Sequence, residues 1–118
     1  MNTMKTLILT VACCLMAIAQ TQAKDFVRPE SSNYIKGVEA LNAGNAEQAY
    51  QYLNEEINQN PDNGYAHCYM ALVCNFYGDM KLALYAANES VKLIQEEDTE
   101  YRSFAYYTRG TLYMNAQA

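Results

Sequence analysis

The octapeptides "AGNAEQAY" at residues 43–50 and "YGDMKLAL" at residues 77–84 share one layout, and the 34-residue spacing of their glycines constrains the fold more than any other feature of the chain. Each carries a glycine, Gly44 or Gly78, of the kind that ends a helix by taking the left-handed conformation just past its last turn. An N-cap residue follows at once, Asn45 or Asp79, whose side-chain oxygen can accept from the amides of a new first turn. In the first copy Gln48, three residues on, can reach back to the cap amide. Four residues after each cap stands a small residue, Ala49 or Ala83, and seven before each glycine another, Gly37 or Ala71. A stop and a start in adjacent positions, repeated in register with two small contact residues, describe a helical hairpin used twice.

Periodicity fills in the hairpins. Asn33 to Ala43 carries Tyr34, Ile35, Val38 and Leu41 at three- and four-residue steps, an apolar stripe on one helical face. A second helix is expected from Ala46 to Asn58, with Ala49, Leu53 and Ile57 on one side. Pro61 forbids its continuation, and Asp62 or Asn63 can cap the next. The third, Gly64 to Tyr77, is apolar nearly all round and must be covered on more than one side. A fourth is expected from Met80 to Ile94. Glu96, Glu97, Asp98 and Glu100 would oppose the dipole at a helix C-terminus but favour an N-terminus, which places a turn at 96–98 and a fifth helix from Thr99 to Asn115. Beyond that role the cluster reads as a solvated acidic patch. No segment carries a strand signal, so the sequence predicts an all-α fold of about five antiparallel helices.

The first 23 residues stand apart. Lys5 is their only charge, and it precedes the apolar run from Leu7 to Ala19 and the small-residue exit "QTQA". That grammar is a secretory signal peptide cleaved after Ala23, and the run falls short of the roughly 20 apolar residues that a bilayer span requires. The expected destination is export, to the periplasm in a Gram-negative bacterium and to the exterior otherwise. Cys13 and Cys14 leave lipid anchoring as the lesser alternative, since Thr10-Val11-Ala12 matches a lipobox only in part. Residues 24–29 form a polar leader, and 30–118 the folded domain. Without Lys5, seven basic residues face thirteen acidic ones, a charge of about −6 with no basic stripe for nucleic acid. Cys68 and Cys74 on one helix would sit about 9 Å apart along its axis, beyond the roughly 7 Å Cα separation a disulfide spans. Two small buried side chains are expected instead.

A helix-turn-helix unit of this period resembles the tetratricopeptide repeat, and the likeness spans nearly all of 30–118. Units fall at about 30–63 and 64–98, with a partial unit over 99–118. Gly37, Ala71 and Gly110 match the small first-helix residue through which a hairpin's helices touch. Ala49 with Leu53, and Ala83 with Ala87, match the second-helix positions, and Pro61 the closing proline. Tyr106, Gly110 and Tyr113 in "YYTRGTLY" fit the first helix of a third unit. The chain departs from the pattern where Asn33 and His67 replace the leading aromatic, Lys36 and Arg109 a leucine, and Gln95 a second proline. Ala71 and Gly110 are 39 residues apart, so the second junction is five residues longer than the first.

The resemblance implies an α-α superhelix, a TPR-like solenoid of roughly two and a half repeats, whose first helices line a concave groove for a segment of another protein. Carried over by register, the groove residues are Tyr34, Val38, Leu41 and Asn42, then Tyr65, Cys68, Leu72, Asn75 and Phe76, then Phe104, Tyr107, Thr111 and Met114. The Lys, Arg and Asn cluster with which chaperone-binding relatives hold a terminal carboxylate is missing, which disfavours that role.

Enzymatic chemistry finds little foothold. His67 is the single histidine and stands where the resemblance implies a buried aromatic. One histidine and two diverging cysteines do not supply the three or four ligands of a zinc site, and no glycine-rich phosphate loop or nucleophile elbow is present. No catalytic, metal or cofactor residue is expected. The expected function is an exported protein-protein interaction scaffold, with Asn42 and Asn75 fixing a partner's backbone. Two alternatives stand: an N-terminal region of a longer exported enzyme or envelope-assembly protein, and a structural protein that self-associates through its C-terminal helix.

Overall fold

The computed structural model describes residues 26–117. The expected signal peptide, the lipid-anchor alternative at Cys13 and Cys14, and the first two leader residues lie outside the described residues. Five helices follow in order: α1 (Ser32–Asn42), α2 (Ala46–Gln59), α3 (Gly64–Tyr77), α4 (Met80–Leu93) and α5 (Thr99–Gln117). No strand occurs among the described residues, and none of these helices is long and apolar enough to cross a membrane.

Both glycine joints close in the same way. Gly44 and Gly78 have φ of 77° and 81°. At the first joint the Gly44 amide donates to the Leu41 carbonyl at 2.9 Å and the Asn45 amide to Ala40 at 2.8 Å. At the second, Gly78 donates to Asn75 at 3.1 Å and Asp79 to Cys74 at 2.9 Å. This paired closure is the Schellman motif, which satisfies carbonyls that a helix end leaves open. The next residue is already a cap: Asn45 Oδ1 accepts from the Gln48 amide at 3.1 Å, and Asp79 Oδ1 from Leu82 at 3.2 Å. Between the hairpins Asn63, of the two candidates, is the cap, accepting from the Ala66 amide at 3.1 Å.

The small residues sit where helices meet. Ala49, Ala71 and Ala83 are fully buried. A Cβ on Gly37 would lie 2.7 Å from Leu53 Cγ and Cδ2, so the α1–α2 contact leaves room only for hydrogen. Gly110 is a correction to the sequence reading. It is exposed, and a Cβ there would meet nothing within 4 Å, because no described helix packs on that face of α5.

The all-round apolar helix α3 is central, buried without a break from Asn63 to Ala71. Its tyrosines tie it to both neighbours of like direction. Tyr69 meets Tyr34 of α1 at 6.1 Å and Phe104 of α5 at 5.8 Å between ring centroids, and Tyr65 meets Tyr101 of α5 edge-on at 4.9 Å. The hydroxyls of Tyr69 and Tyr101 lie 2.8 Å apart. Tilted and edge-on pairs of this kind each contribute about 0.5–1.5 kcal/mol beyond the area they bury. On the opposite side Arg102 of α5 donates to the Val91 and Ile94 carbonyls at 3.1 and 2.9 Å, closing the C-terminus of α4.

The leader is a structural strap. Arg28 Nε and Nη2 donate to Asp98 Oδ2 and Oδ1, both at 2.7 Å, and the guanidinium stacks 4.7 Å from the Tyr101 ring centroid. The Tyr65 hydroxyl donates to Asp98 Oδ2 at 2.9 Å, and the Tyr101 amide to Oδ1 at 3.3 Å, which makes Asp98 the N-cap of α5. Gln95 Nε2 donates to the Val27 carbonyl at 2.8 Å. Asp98 is 0% exposed, so the expectation of a solvated acidic patch fails at this residue: a guanidinium from the far end of the chain covers it. Burial alone would raise the Asp98 pKa. The hydrogen bonds from Arg28, Tyr65 and the Tyr101 amide, with the charge of Arg28, outweigh it and hold the carboxyl below its usual range.

Candidate functional site

Each hairpin reverses the chain, so α1, α3 and α5 run the same way. On each, the residues expected to line a groove recur at three- and four-residue steps and therefore share one face. That face is divided. Tyr34, Tyr65 and Phe104 are buried in the aromatic contacts between the three helices, and Leu41 and Cys68 are core residues at 2% and 0% exposure. For these five the sequence reading is corrected. Periodicity identifies the face they occupy, but packing within the helical array buries these five and leaves almost nothing of them for a partner to touch.

The remainder stays accessible. Val38, Asn42, Leu72, Asn75, Phe76 and Thr111 are half-buried, and Tyr107 and Met114 are exposed. Val38 and Leu72 lean on the core, which fixes them as a floor. Asn42 Oδ1 is buried and has no hydrogen-bond partner among the described residues. An acceptor in that state costs about 1–3 kcal/mol until a donor reaches it. Apolar surface with an unsatisfied amide oxygen can bind a polypeptide through side-chain burial and a backbone N–H.

The groups with chemical potential are committed elsewhere. The His67 ring is buried, and its Nε2 lies 2.9 Å from the Pro61 carbonyl, which only accepts, so Nε2 carries the proton and the ring ties down the turn before α3. Cys68 and Cys74 are free and buried. Burial pushes the Cys68 thiol up to about 12, and burial with the nearby Asp79 charge pushes Cys74 up to about 11. Neither is a thiolate at neutral pH, so neither is a ready nucleophile. Among the described residues no three His, Cys, Asp or Glu side chains converge as metal ligands.

Four residues that organise this face escape sequence reasoning. Tyr69 and Tyr101 belong to no groove register, yet they join α3 to α5. Asp98 has a local signal, a carboxylate directly before a helix start, whereas Arg28 has none. No protein-family model matches the chain, and neither the curated proteins nor the solved structures contain a match.

Proposed function

We propose that this protein is an exported interaction module of tetratricopeptide-like architecture. Its first helices present the face formed by Val38, Asn42, Leu72, Asn75, Phe76 and Tyr107 to a segment of another protein. The observation that carries the reading is the unsatisfied Asn42 Oδ1 set within a band of accessible apolar and aromatic side chains. The repeated Schellman joints, 34 residues apart, support the repeat architecture. Export rests on the charge and apolar pattern of residues 1–23. The bound segment brings apolar side chains for Leu72 and Phe76 and a backbone N–H for Asn42, and no covalent step is involved.

The test is capture of partners from an envelope extract by the wild-type chain, compared with Phe76→Ser and Tyr107→Ser. A partner retained by the wild type and lost from both variants supports the reading. Equal recovery from all three sinks it. Tyr65 is unsuitable for such a test, because its hydroxyl holds Asp98 and its loss would loosen the strap.

A second reading, self-association, is favoured by one observation: Tyr107, Tyr113 and Met114 of α5 are 63%, 46% and 74% exposed. Concentration-dependent dimers in sedimentation that vanish in Tyr113→Ser with Met114→Ser would select it.

A further inference from the structure

A second site lies away from the interaction face. A cavity of about 460 Å³ opens between the leader, the α2–α3 turn and the end of α4. Glu56 of α2 lines it and is 1% exposed. Its Oε2 accepts from Asn63 Nδ2 at 2.8 Å and Asn60 Nδ2 at 3.2 Å, but Oε1 has no partner among the described residues. Ser31, also lining the cavity, has a buried hydroxyl in the same state. A carboxylate oxygen removed from water without a donor is strongly unfavourable, and such groups in native proteins call for an explanation.

The surroundings limit what could bind there. Two further carboxylates, Glu30 and Asp62, line the cavity and are exposed, and no described cation pairs with them or with Glu56. Arg28 also lines the cavity, but its Nε and Nη2 are held by Asp98, with Glu100 4.0 Å from Nη2. A cation that donates hydrogen bonds complements this lining. A metal ion is disfavoured, since no three metal-ligating side chains converge among the described residues. Pro29 and Leu93 supply apolar wall along which methylenes can lie. A primary ammonium on an alkyl chain matches both halves: three donors and no acceptor at its head, and an aliphatic stem.

We propose that this cavity binds an alkylammonium group, with Glu56 Oε1 and Ser31 Oγ as its acceptors and Asp62 and Glu30 as attracting charge at the mouth. The same chemistry is carried by a lysine side chain of a polypeptide and by a free aliphatic diamine. The site is separate from the interaction face, so it stands or falls independently of the function proposed above.

The full chain is titrated with Nα-acetyl-lysine N-methylamide, with cadaverine, and with the neutral Nα-acetyl-norleucine N-methylamide, while the side-chain amide signals of Asn60 and Asn63 are followed by NMR. These amides donate to Glu56, so they report occupancy directly. Saturable shifts with a cationic probe and none with the neutral one are expected. Saturation by the lysine derivative assigns a polypeptide source, and saturation by cadaverine alone a free amine. Glu56→Gln should weaken binding about tenfold or more, the loss of a charge-assisted hydrogen bond. Asp62→Lys, at an exposed position where folding is not at risk, should weaken it several-fold by placing a cation at the mouth. No saturation by either cation, equal binding of the neutral probe, or unchanged affinity in Asp62→Lys overturns the proposal.

Discussion

The face shared by α1, α3 and α5 is closed in one region and open in another. In the closed region Tyr34, Tyr65, Tyr69, Tyr101 and Phe104 interlock, and Asp98 beneath them accepts four hydrogen bonds from Arg28, Tyr65 and the Tyr101 amide. In the open region Asn42, Leu72 and Phe76 are only half-buried and Tyr107 is exposed, and the buried Asn42 Oδ1 has no hydrogen-bond partner among the described residues. Composition does not separate the two regions, since both are rich in aromatics and carry a few polar groups. Cover does: in the one region helix packing encloses the rings, and in the other the side chains stay at least partly accessible.

The comparison breaks most visibly at the strap. Asp98→Ala leaves the Arg28 guanidinium and the Tyr65 hydroxyl facing an empty site and removes the cap of α5. A loss of about 3 kcal/mol is expected in chemical denaturation, the usual consequence of deleting one partner of a buried pair. A loss under about 1 kcal/mol would mean that the closed region holds without it. The same carboxylate should be visible in acid. Its folded pKa lies below the unfolded value of about 3.9, so its stabilisation is complete above that value and is lost as pH falls through the lower folded one. Wild-type stability should drop steeply below about pH 4, and Asp98→Asn should flatten that part of the profile.

Two glycines sharpen the contrast at smaller scale. Gly37→Ala forces a methyl to within 2.7 Å of the fully buried Leu53. It should cost roughly 1–3 kcal/mol by overpacking. Gly110→Ala meets nothing and should raise stability by about 0.5–1 kcal/mol, the helix-propensity difference alone. Thermal unfolding of the pair checks the opposite signs. The smallest effect belongs to the open region: Tyr107→Ser should shift stability by no more than about 0.5 kcal/mol while abolishing capture of a partner.

What the sequence discloses follows from the range of the forces involved. The joints at Gly44-Asn45 and Gly78-Asp79, the stop at Pro61 and the start at Thr99 are settled within a turn or two of chain, and both ends of all five helices fall within two residues of the expected ones. Helical period likewise picks out the face carrying Tyr34, Cys68 and Phe104. It cannot say whether that face is covered, because cover comes from another helix at a distance set by the whole fold. Tyr34 and Phe76 look alike in the sequence, yet Tyr34 is buried against Tyr69 and other core residues while Phe76 is half-buried. The strap is the extreme case. Nothing near Arg28 or Asp98 announces a partner 70 residues away, and an isolated run of carboxylates reads as solvated until a guanidinium is brought to it. The orphaned oxygens of Asn42 and Glu56 are equally silent, since a missing donor leaves no trace in a one-dimensional string.

The strap also sets an order of events. A chain made from its amino end presents Arg28 long before Asp98 exists, and both hairpins can form while the arginine is still waiting. Closing so long a loop adds little entropy cost over a shorter one, about 0.6 kcal/mol for each doubling of length. The bond is therefore late but not difficult. Until the start of α5 has been synthesised the arginine has no carboxylate to close on, so the clasp can join α5 to the leader only after the residues of both hairpins are in place.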